Sequence, residues 1–460
     1  MSLKEKYVNL GKNIGIFTIS NFSVKIITFL VLPLYTYYLS TEQYAVIDLV
    51  NTTSQLILPF LTLCIIEAAL RFGVSGEYDS KSVFTNSIYL IVLGCILLPF
   101  LTQIIKIFVD IGSVEWYFVA IYCLQVFNSM FSAYTKAINK VKEMAIISMV
   151  TSISIVLFNV LFVAILQWGM EGYFISMIIG NLIGIILYMT VCKMYRYFSI
   201  SAFDIKVLKE MLIYAIPLIP NSVFWWINTS LDRYALMAFA GLSVVGLYSV
   251  ANRIPTIIST VTSIFSQAWN LSAFQVYNDS DKEIFYTKTY AIYRYLLVIC
   301  TSGVIFLSRV FANILFSKDF YEAWVFIPLL TLGVYYNSLN SFLGSIFTAS
   351  KQTKHIFYTT AGGAVINVIL NTLLIPFLGG QGAAAATLIS YMVVWLVRSK
   401  SVKKILNFRV GYIEELVTFI LLFVEGLFIC NNTWEGYLVA GAIMVFVCLY
   451  SIIKGIKRLK

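Results

Sequence analysis

Fourteen apolar stretches, most of them twenty residues or longer, follow one another along this chain with only short polar breaks between them. About 20 apolar residues carry a helix across the hydrocarbon core of a bilayer, and a backbone inside lipid must satisfy its own polar groups. A chain patterned in this way folds as a bundle of membrane-spanning helices. The stretches fall near 13–38, 43–70, 83–105, 116–135, 144–167, 172–193, 208–230, 236–268, 288–308, 324–348, 356–377, 382–398, 413–430 and 436–453. Composition agrees, with 60% hydrophobic and 12% charged residues among 460, where soluble chains carry about 25% charged residues.

Lysine and arginine test the count independently. With the N-terminus inside and fourteen spans, 25 of the 32 Lys and Arg fall in inside segments, the bias that orients membrane proteins. Two clusters dominate: Lys193, Arg196, Lys206 and Lys209, then Arg398, Lys400, Lys403, Lys404 and Arg409. Only Lys106, Arg233, Arg309 and Lys318 fall outside, and Lys25, Arg253 and Arg294 within spans. Both termini are therefore expected in the cytoplasm, with Lys4, Lys6 and Lys12 preceding an uncleaved first helix. The net charge of +10 has the same origin, cytoplasmic loops facing anionic headgroups. No compact basic and aromatic module points to nucleic acid. One histidine, His355, and scattered cysteines make no metal-ligand spacing, and no phosphate-binding G-x-x-x-x-G-K-[ST] loop occurs. Metal catalysis, a cofactor and ATP hydrolysis are not expected.

The chain repeats itself. Tyr44-Ala-Val-Ile-Asp-Leu-Val-Asn51 lines up with Val245-Gly-Leu-Tyr-Ser-Val-Ala-Asn252, and Asn159-Val-Leu followed by Gly169 to Gly172 with Asn367-Val-Ile followed by Gly379 to Gly382. Six spans separate the partners, an even number, so the halves enter the membrane the same way up. Such parallel repeats place a substrate near the midplane between two rocking halves. The expected organisation is a six-helix lobe over 1–198, a second over 199–404, and a terminal helix pair over 405–460.

Three stretches carry a family resemblance. They are Ile213 to Pro220 with Asn228, Asp232-Arg233-Tyr234 and Val245 to Ala251; then Phe265-Ser-Gln-Ala-Trp269; then Gly363 to Asn371 with Ile375-Pro376 and Gly382 to Thr387. With the span count, they make the chain resemble the Wzx-type flippases of the polysaccharide transporter family. That family belongs to the MOP superfamily, which also holds the MATE drug exporters and the lipid II flippase. The resemblance implies two lobes around a central cavity in a bacterial cytoplasmic membrane. It implies export of an undecaprenyl-pyrophosphate-linked oligosaccharide, the repeat unit of an O-antigen of lipopolysaccharide, a capsule or a related glycan, with a glycan polymerase and assembly proteins as partners.

Charges within spans are the residues to question, because each costs about 2.5 kcal/mol or more at the bilayer centre unless paired or wet. Lys25 lies 12 residues into the first span, with Asn21 one turn away. It suits a pyrophosphate or acidic sugar, or else a structural pair with Glu67. Arg253 adjoins Asn252 and a face of Thr256, Ser259, Thr260 and Ser263, and its planar fork fits phosphate or carboxylate. Arg294 either meets the substrate or snorkels to the nearby cytoplasmic end. Asn51, Gln55, Asn228 and Asn337 are polar candidates for a sugar, and Trp225 either stacks on a sugar ring or belongs to an interfacial belt. Asp48 is the candidate for coupling to H+ or Na+. Glu67 and Arg71, spaced i and i+4, suit mutual neutralisation. Asp232 and Arg233, near an outer end, suit a gate or a structural pair. Pro217 and Pro220 are expected to kink the seventh span. Glu425, mid-span in the terminal pair, has no role that the pattern supplies.

Two other function classes remain. A MATE-like exporter of organic cations would favour carboxylates and aromatics over these cations. A membrane glycan polymerase or glycosyltransferase would need a sizeable external loop or paired carboxylates, and the outside connections are short.

Overall fold

The computed structural model describes residues 31–105, 114–277, 281–408, 410–431 and 433–459. The order of helices is α1 (Leu32–Tyr38), α2 (Thr41–Leu61), α3 (Ile65–Ser75), α4 (Ser80–Ile105), α5 (Glu115–Ala137), α6 (Val141–Asn159), α7 (Gly169–Val191), α8 (Ile205–Ala215), α9 (Ile219–Ala240), α10 (Leu242–Ala251) and α11 (Thr256–Val276). Then come α12 (Lys282–Phe306), α13 (Ser308–Leu315), α14 (Ile327–Ala349), α15 (Lys354–Ile405), α16 (Tyr412–Cys430) and α17 (Trp434–Leu459). There is no strand among the described residues. They divide into two compact units, Tyr38–Trp226 and, with the short stretch through Tyr37, Ile227–Lys460.

Helix starts follow local chemistry. Ser40 caps α2 through a reciprocal box: its hydroxyl accepts from the Gln43 amide at 3.2 Å, and the Gln43 side chain accepts from the Ser40 amide at 3.1 Å. Asp204 caps α8 by accepting from the Lys206 and Val207 amides. The expected span 43–70 is broken between α2 and α3, where Leu63 and Cys64 both take positive φ, a conformation uncommon for residues with a Cβ. The seventh span is kinked as the prolines require. Ile216–Leu218 form a 3-10 turn between α8 and α9, because Pro217 and Pro220 supply no amide to the helical ladder.

The seventh span also runs farther than expected. It continues to Ala240, ten residues past the sequence boundary, and turns at Gly241 with φ +87°. The hydrophobic run from 208 to 268 carries no polar break where the turn falls, so apolarity alone misplaced it. The eighth span is bent by 47° between α10 and α11, across Asn252–Pro255.

α15 is a hairpin. Its 52 residues would reach roughly 78 Å if straight, at about 1.5 Å per residue. Gly379, at φ 51° and ψ −130°, breaks the helix. A Cβ on Gly382 would stand 2.5 Å from the Leu374 carbonyl oxygen, and Asn367 Nδ2 donates to Thr387 Oγ1 at 3.2 Å across twenty residues. Two antiparallel arms therefore meet at Gly379, inside the outer connection expected from Pro376 to Gln381.

Among the described residues eight helices are long and apolar enough to cross a membrane, and the bent pair makes a ninth. The second arm of α15 makes a tenth. Helices α5, α14 and α16, of 23, 23 and 19 residues, bring the described residues to thirteen spanning segments. The first expected span, 13–38, lies largely outside the described residues. The protein is an all-α polytopic membrane protein.

Within the first unit, α6 and α7 pack so closely that a Cβ on Gly180 would meet the Ile155 side chain at 2.3 Å. Small residues buy such approach in membranes, where packing replaces the hydrophobic effect as the driving force. In the second unit an aromatic column joins α11, α12 and α14, with Phe265 on Tyr293 at 4.2 Å and Trp269 on Phe342 at 4.4 Å between ring centres.

Candidate functional site

Asp232 of α9 is a carboxylate held through both of its oxygens. It is buried. Its Oδ1 accepts from Asn371 Nδ2 at 2.7 Å, and its Oδ2 accepts from the Tyr248 and Thr387 hydroxyls, each at 2.7 Å. Asn371 in turn donates to Asn367 Oδ1 at 2.9 Å, and Asn367 to Thr387. The donors come from α10 and from both arms of the α15 hairpin. Asn367 and Asn371 are spaced i and i+4, so one helix face presents both. Asn371 and Thr387 each lie eight residues from Gly379, roughly 12 Å along an arm at about 1.5 Å per residue. Asp232 stands nine residues from Gly241, a similar depth. The extra length of α9 therefore carries Asp232 well below the end of the span, deeper than its sequence position suggested.

Arg233 is buried beside it. Its Nη1 donates to the Thr229 carbonyl at 2.7 Å and its guanidinium lies 5.9 Å from the Tyr248 ring centre. The cluster thus holds oxygens of one carboxylate, two side-chain amides and two hydroxyls in a low-dielectric bundle. That set suits a hard monovalent cation or a proton, both of which oxygen donors accept. Asn371 Oδ1 is buried with no hydrogen-bond partner among the described residues.

The other expected residues distribute as follows. Lys25 and Asn21 lie outside the described residues. Arg253, half-buried, occupies the break between α10 and α11, and its carbonyl accepts from the Thr256 hydroxyl. Arg294 is buried in an ion cluster with Glu414 at 2.7 Å and Glu415 at 3.7 Å; the terminal helix pair supplies its counter-charges, and it does not snorkel. Asn337 is half-buried on α14. Asn228 donates to the Thr360 carbonyl at 3.1 Å, and its own carbonyl accepts from the Tyr391 hydroxyl at 2.9 Å, so it fastens α9 to the hairpin.

In the first unit Asp48, Asn51, Thr52 and Gln55 share one face of α2. Asp48 is buried, Gln55 is exposed, and Asn51 donates to the Tyr173 hydroxyl at 3.1 Å. Trp225 is exposed while Trp226 is buried and donates to the Thr52 carbonyl at 2.8 Å. Among the described residues Glu67 and Arg71 form no ion pair; Arg71 lies over the Tyr214 ring at 5.5 Å, and both are exposed.

The profile of one protein family, described as polysaccharide biosynthesis protein, matches residues 10–270, more than half of the chain. The chain belongs to the polysaccharide biosynthesis protein family. It is similar to an uncharacterized membrane protein of Methanocaldococcus jannaschii, 24% identical over 291 residues that make up 54% of this chain and 55% of that protein. The chain thus spans about half the length of that curated relative.

Among solved structures, the chain shares its fold with a lipid II flippase, MurJ, in an inward closed conformation. The TM-score is 0.73 at 18% identity, over 96% of this chain and 99% of that one. An inward-facing multidrug resistance MATE transporter of the MOP superfamily follows with a TM-score of 0.69 at 13% identity, over 84% and 98%. A MOP superfamily transporter from Pyrococcus furiosus, with a binding pocket of reverse polarity, gives 0.61 at 13% identity, over 88% and 96%.

Sequence reasoning did not assign Asn367, Asn371, Thr387 or Arg398 to a site. Asn367 was legible as part of the repeat, Asn371 and Thr387 only within the stretches that carry the family resemblance, and the i, i+4 asparagines were the signal for a polar face. Arg398, counted as one of a cytoplasmic cluster, is buried and donates to Asn340 and Ile356 carbonyls and to the Thr359 and Thr360 hydroxyls. It ties the base of the hairpin to α14 without a carboxylate.

Proposed function

We propose that this protein is a flippase. It carries an undecaprenyl-pyrophosphate-linked oligosaccharide, such as an O-antigen or capsule repeat unit, from the cytoplasmic to the outer leaflet. The halves 1–198 and 199–404 alternate their access, and an inward gradient of Na+ or H+ drives them through Asp232, with Asp48 as a second titratable candidate. The family match carries this reading: it ties a multi-pass chain of transporter fold to glycan assembly. The Asp232 cluster supports the coupling step, because a carboxylate kept deep in a bundle costs several kcal/mol unless it is paired, and such residues mark ion pathways. Arg253, at a helix break, and Lys25 are the cations for the pyrophosphate.

The test is translocation in vesicles. Purified protein is reconstituted with a lipid-pyrophosphate oligosaccharide on one face, and the rate at which the glycan becomes accessible from the other face is followed. Wild type is expected to translocate, faster with an inward Na+ or H+ gradient, and Lys25→Ala and Arg253→Ala to fall at least tenfold while folded. Wild type that moves no lipid-linked glycan but exports an organic cation would establish the exporter instead. Translocation by wild type and equally by both variants would keep the function and remove the cationic site.

A further inference from the structure

The terminal helices α16 and α17 leave a cleft against α12 that the transport cycle above does not use. At one end, a pocket of about 190 Å³ is lined by Thr287, Arg294, Tyr295, Glu414 and Arg458. It shares Val410, Gly411 and Glu414 with a larger cleft of about 730 Å³, whose walls include Val298, Val417, Leu421, Phe446 and Val447. A polar mouth therefore opens into an apolar slot.

The dimensions suit one leaflet. Thr287 and Glu414 lie near the starts of α12 and α16, and Arg458 near the end of α17, so the mouth is at one end of the bundle. From Glu414 to Leu421 is roughly 10 Å and from Arg458 to Phe446 roughly 18 Å, at about 1.5 Å per residue. Half of an approximately 30 Å hydrocarbon core is about 15 Å. An acyl chain of one leaflet fills such a slot, and its headgroup meets the mouth.

Charge selects the headgroup. Arg294 is already held by Glu414 and Glu415, two carboxylates for one guanidinium. Glu414 stays 28% exposed at its side chain and is fixed in place by the Tyr295 and Tyr450 hydroxyls at 2.9 and 3.1 Å. Arg458 is exposed and makes no ion pair among the described residues. The mouth thus presents one carboxylate and one guanidinium to the same pocket. A headgroup with negative charges only would meet the repulsion of Glu414, whereas a zwitterion satisfies both.

We propose that this cleft binds one phospholipid of the surrounding bilayer with a primary-amine zwitterionic headgroup. Its phosphate lies on Arg458, its ammonium on Glu414, and one acyl chain runs between α16 and α17 along α12. The site is independent of the transported substrate, and its test does not require transport.

The delipidated full-length protein is titrated with phosphatidylethanolamine, phosphatidylcholine or phosphatidylglycerol, and bound lipid is counted by native mass spectrometry. Phosphatidylethanolamine is expected to bind at least fivefold more tightly than the other two, because phosphatidylcholine has no N–H for Glu414 and phosphatidylglycerol no cation. Arg458→Ala, on an exposed side chain, is expected to weaken phosphatidylethanolamine about tenfold. Glu414→Gln is expected to abolish the preference over phosphatidylcholine, and Leu421→Trp, which fills the slot, to weaken all three. Equal or tighter binding of phosphatidylglycerol, an Arg458→Ala protein that binds as wild type, or displacement of phosphatidylethanolamine by an equal amount of polyprenyl phosphate would each overturn the proposal.

Discussion

Asp232 and Asn371, 139 residues apart in sequence, are joined side chain to side chain at 2.7 Å inside the bundle. The bond ties α9 to the first arm of the α15 hairpin. Two hydroxyls on the other carboxylate oxygen extend the tie to α10 and to the second arm.

Replacing that carboxylate separates structure from transport. Asp232→Ala leaves three buried donors without their acceptor, each costing about 1–3 kcal/mol. A large fall in Tm or in the yield of folded protein is expected. Asp232→Asn keeps one acceptor oxygen and the shape, so it is expected to fold, yet to translocate at most a tenth as fast and to lose its response to the ion gradient. Thermal unfolding in detergent and the vesicle assay read the two effects. An Asp232→Asn protein with wild-type gradient dependence would remove Asp232 from coupling.

The hairpin depends on two glycines for different reasons. Gly379 has open space around a Cβ position but a positive φ, so Gly379→Ala is expected to cost about 1–3 kcal/mol through backbone strain alone. Gly382 would press a Cβ into the Leu374 backbone at 2.5 Å, and Gly382→Ala is expected to cost more, since backbone cannot step aside as a side chain can. Gly362, mid-helix and with nothing within 4 Å of its Cβ position, is the control. Gly362→Ala is expected to leave stability unchanged or raise it by up to about 1 kcal/mol. Unfolding midpoints in one detergent give the order.

The span pattern made the helical bundle legible, since lipid exposes apolar faces all along the sequence. Proline chemistry made the kink at Ile216–Leu218 legible in the same way. Turn positions inside continuous apolarity were not: Gly241 ends α9 where hydropathy shows no dip, and Asp232 moved inward with it. Partners were the least legible. Arg294 reads as a single buried cation, and nothing in its neighbourhood of sequence announces that Glu414 and Glu415, more than a hundred residues on, neutralise it. Asn367 and Asn371 carried a polar face in their spacing, but the carboxylate they serve lies on another helix.

Arg294 tests that neutralisation. Arg294→Leu strands Glu415, which is 2% exposed at its side chain, and breaking a buried pair by removing one partner costs about 3–5 kcal/mol. Arg294→Leu with Glu415→Leu removes the stranded charge and is expected to recover most of the loss. Glu414, partly exposed, needs no rescue. Unfolding of the wild type, the single variant and the double variant measures this. A double variant no more stable than the single one would show that the triad holds the terminal pair by something other than charge balance.

Glu425 sets the opposite expectation. It is fully buried in α16, and its Oε2 accepts from the Ser302 hydroxyl at 2.7 Å, while Oε1 has no hydrogen-bond partner among the described residues. A buried polar group half-satisfied in this way is a burden on the fold. Leucine has similar bulk, and the Ser302 hydroxyl can turn to the Val298 carbonyl one helical turn back. Glu425→Leu is therefore expected to unfold at the same temperature as wild type or a few degrees higher. If stability rises and translocation is unchanged, the carboxyl has no part in transport. If stability rises and translocation collapses, the chain keeps a destabilising acid because the cycle uses it, and Glu425 joins Asp232 among the residues that bind the driving ion.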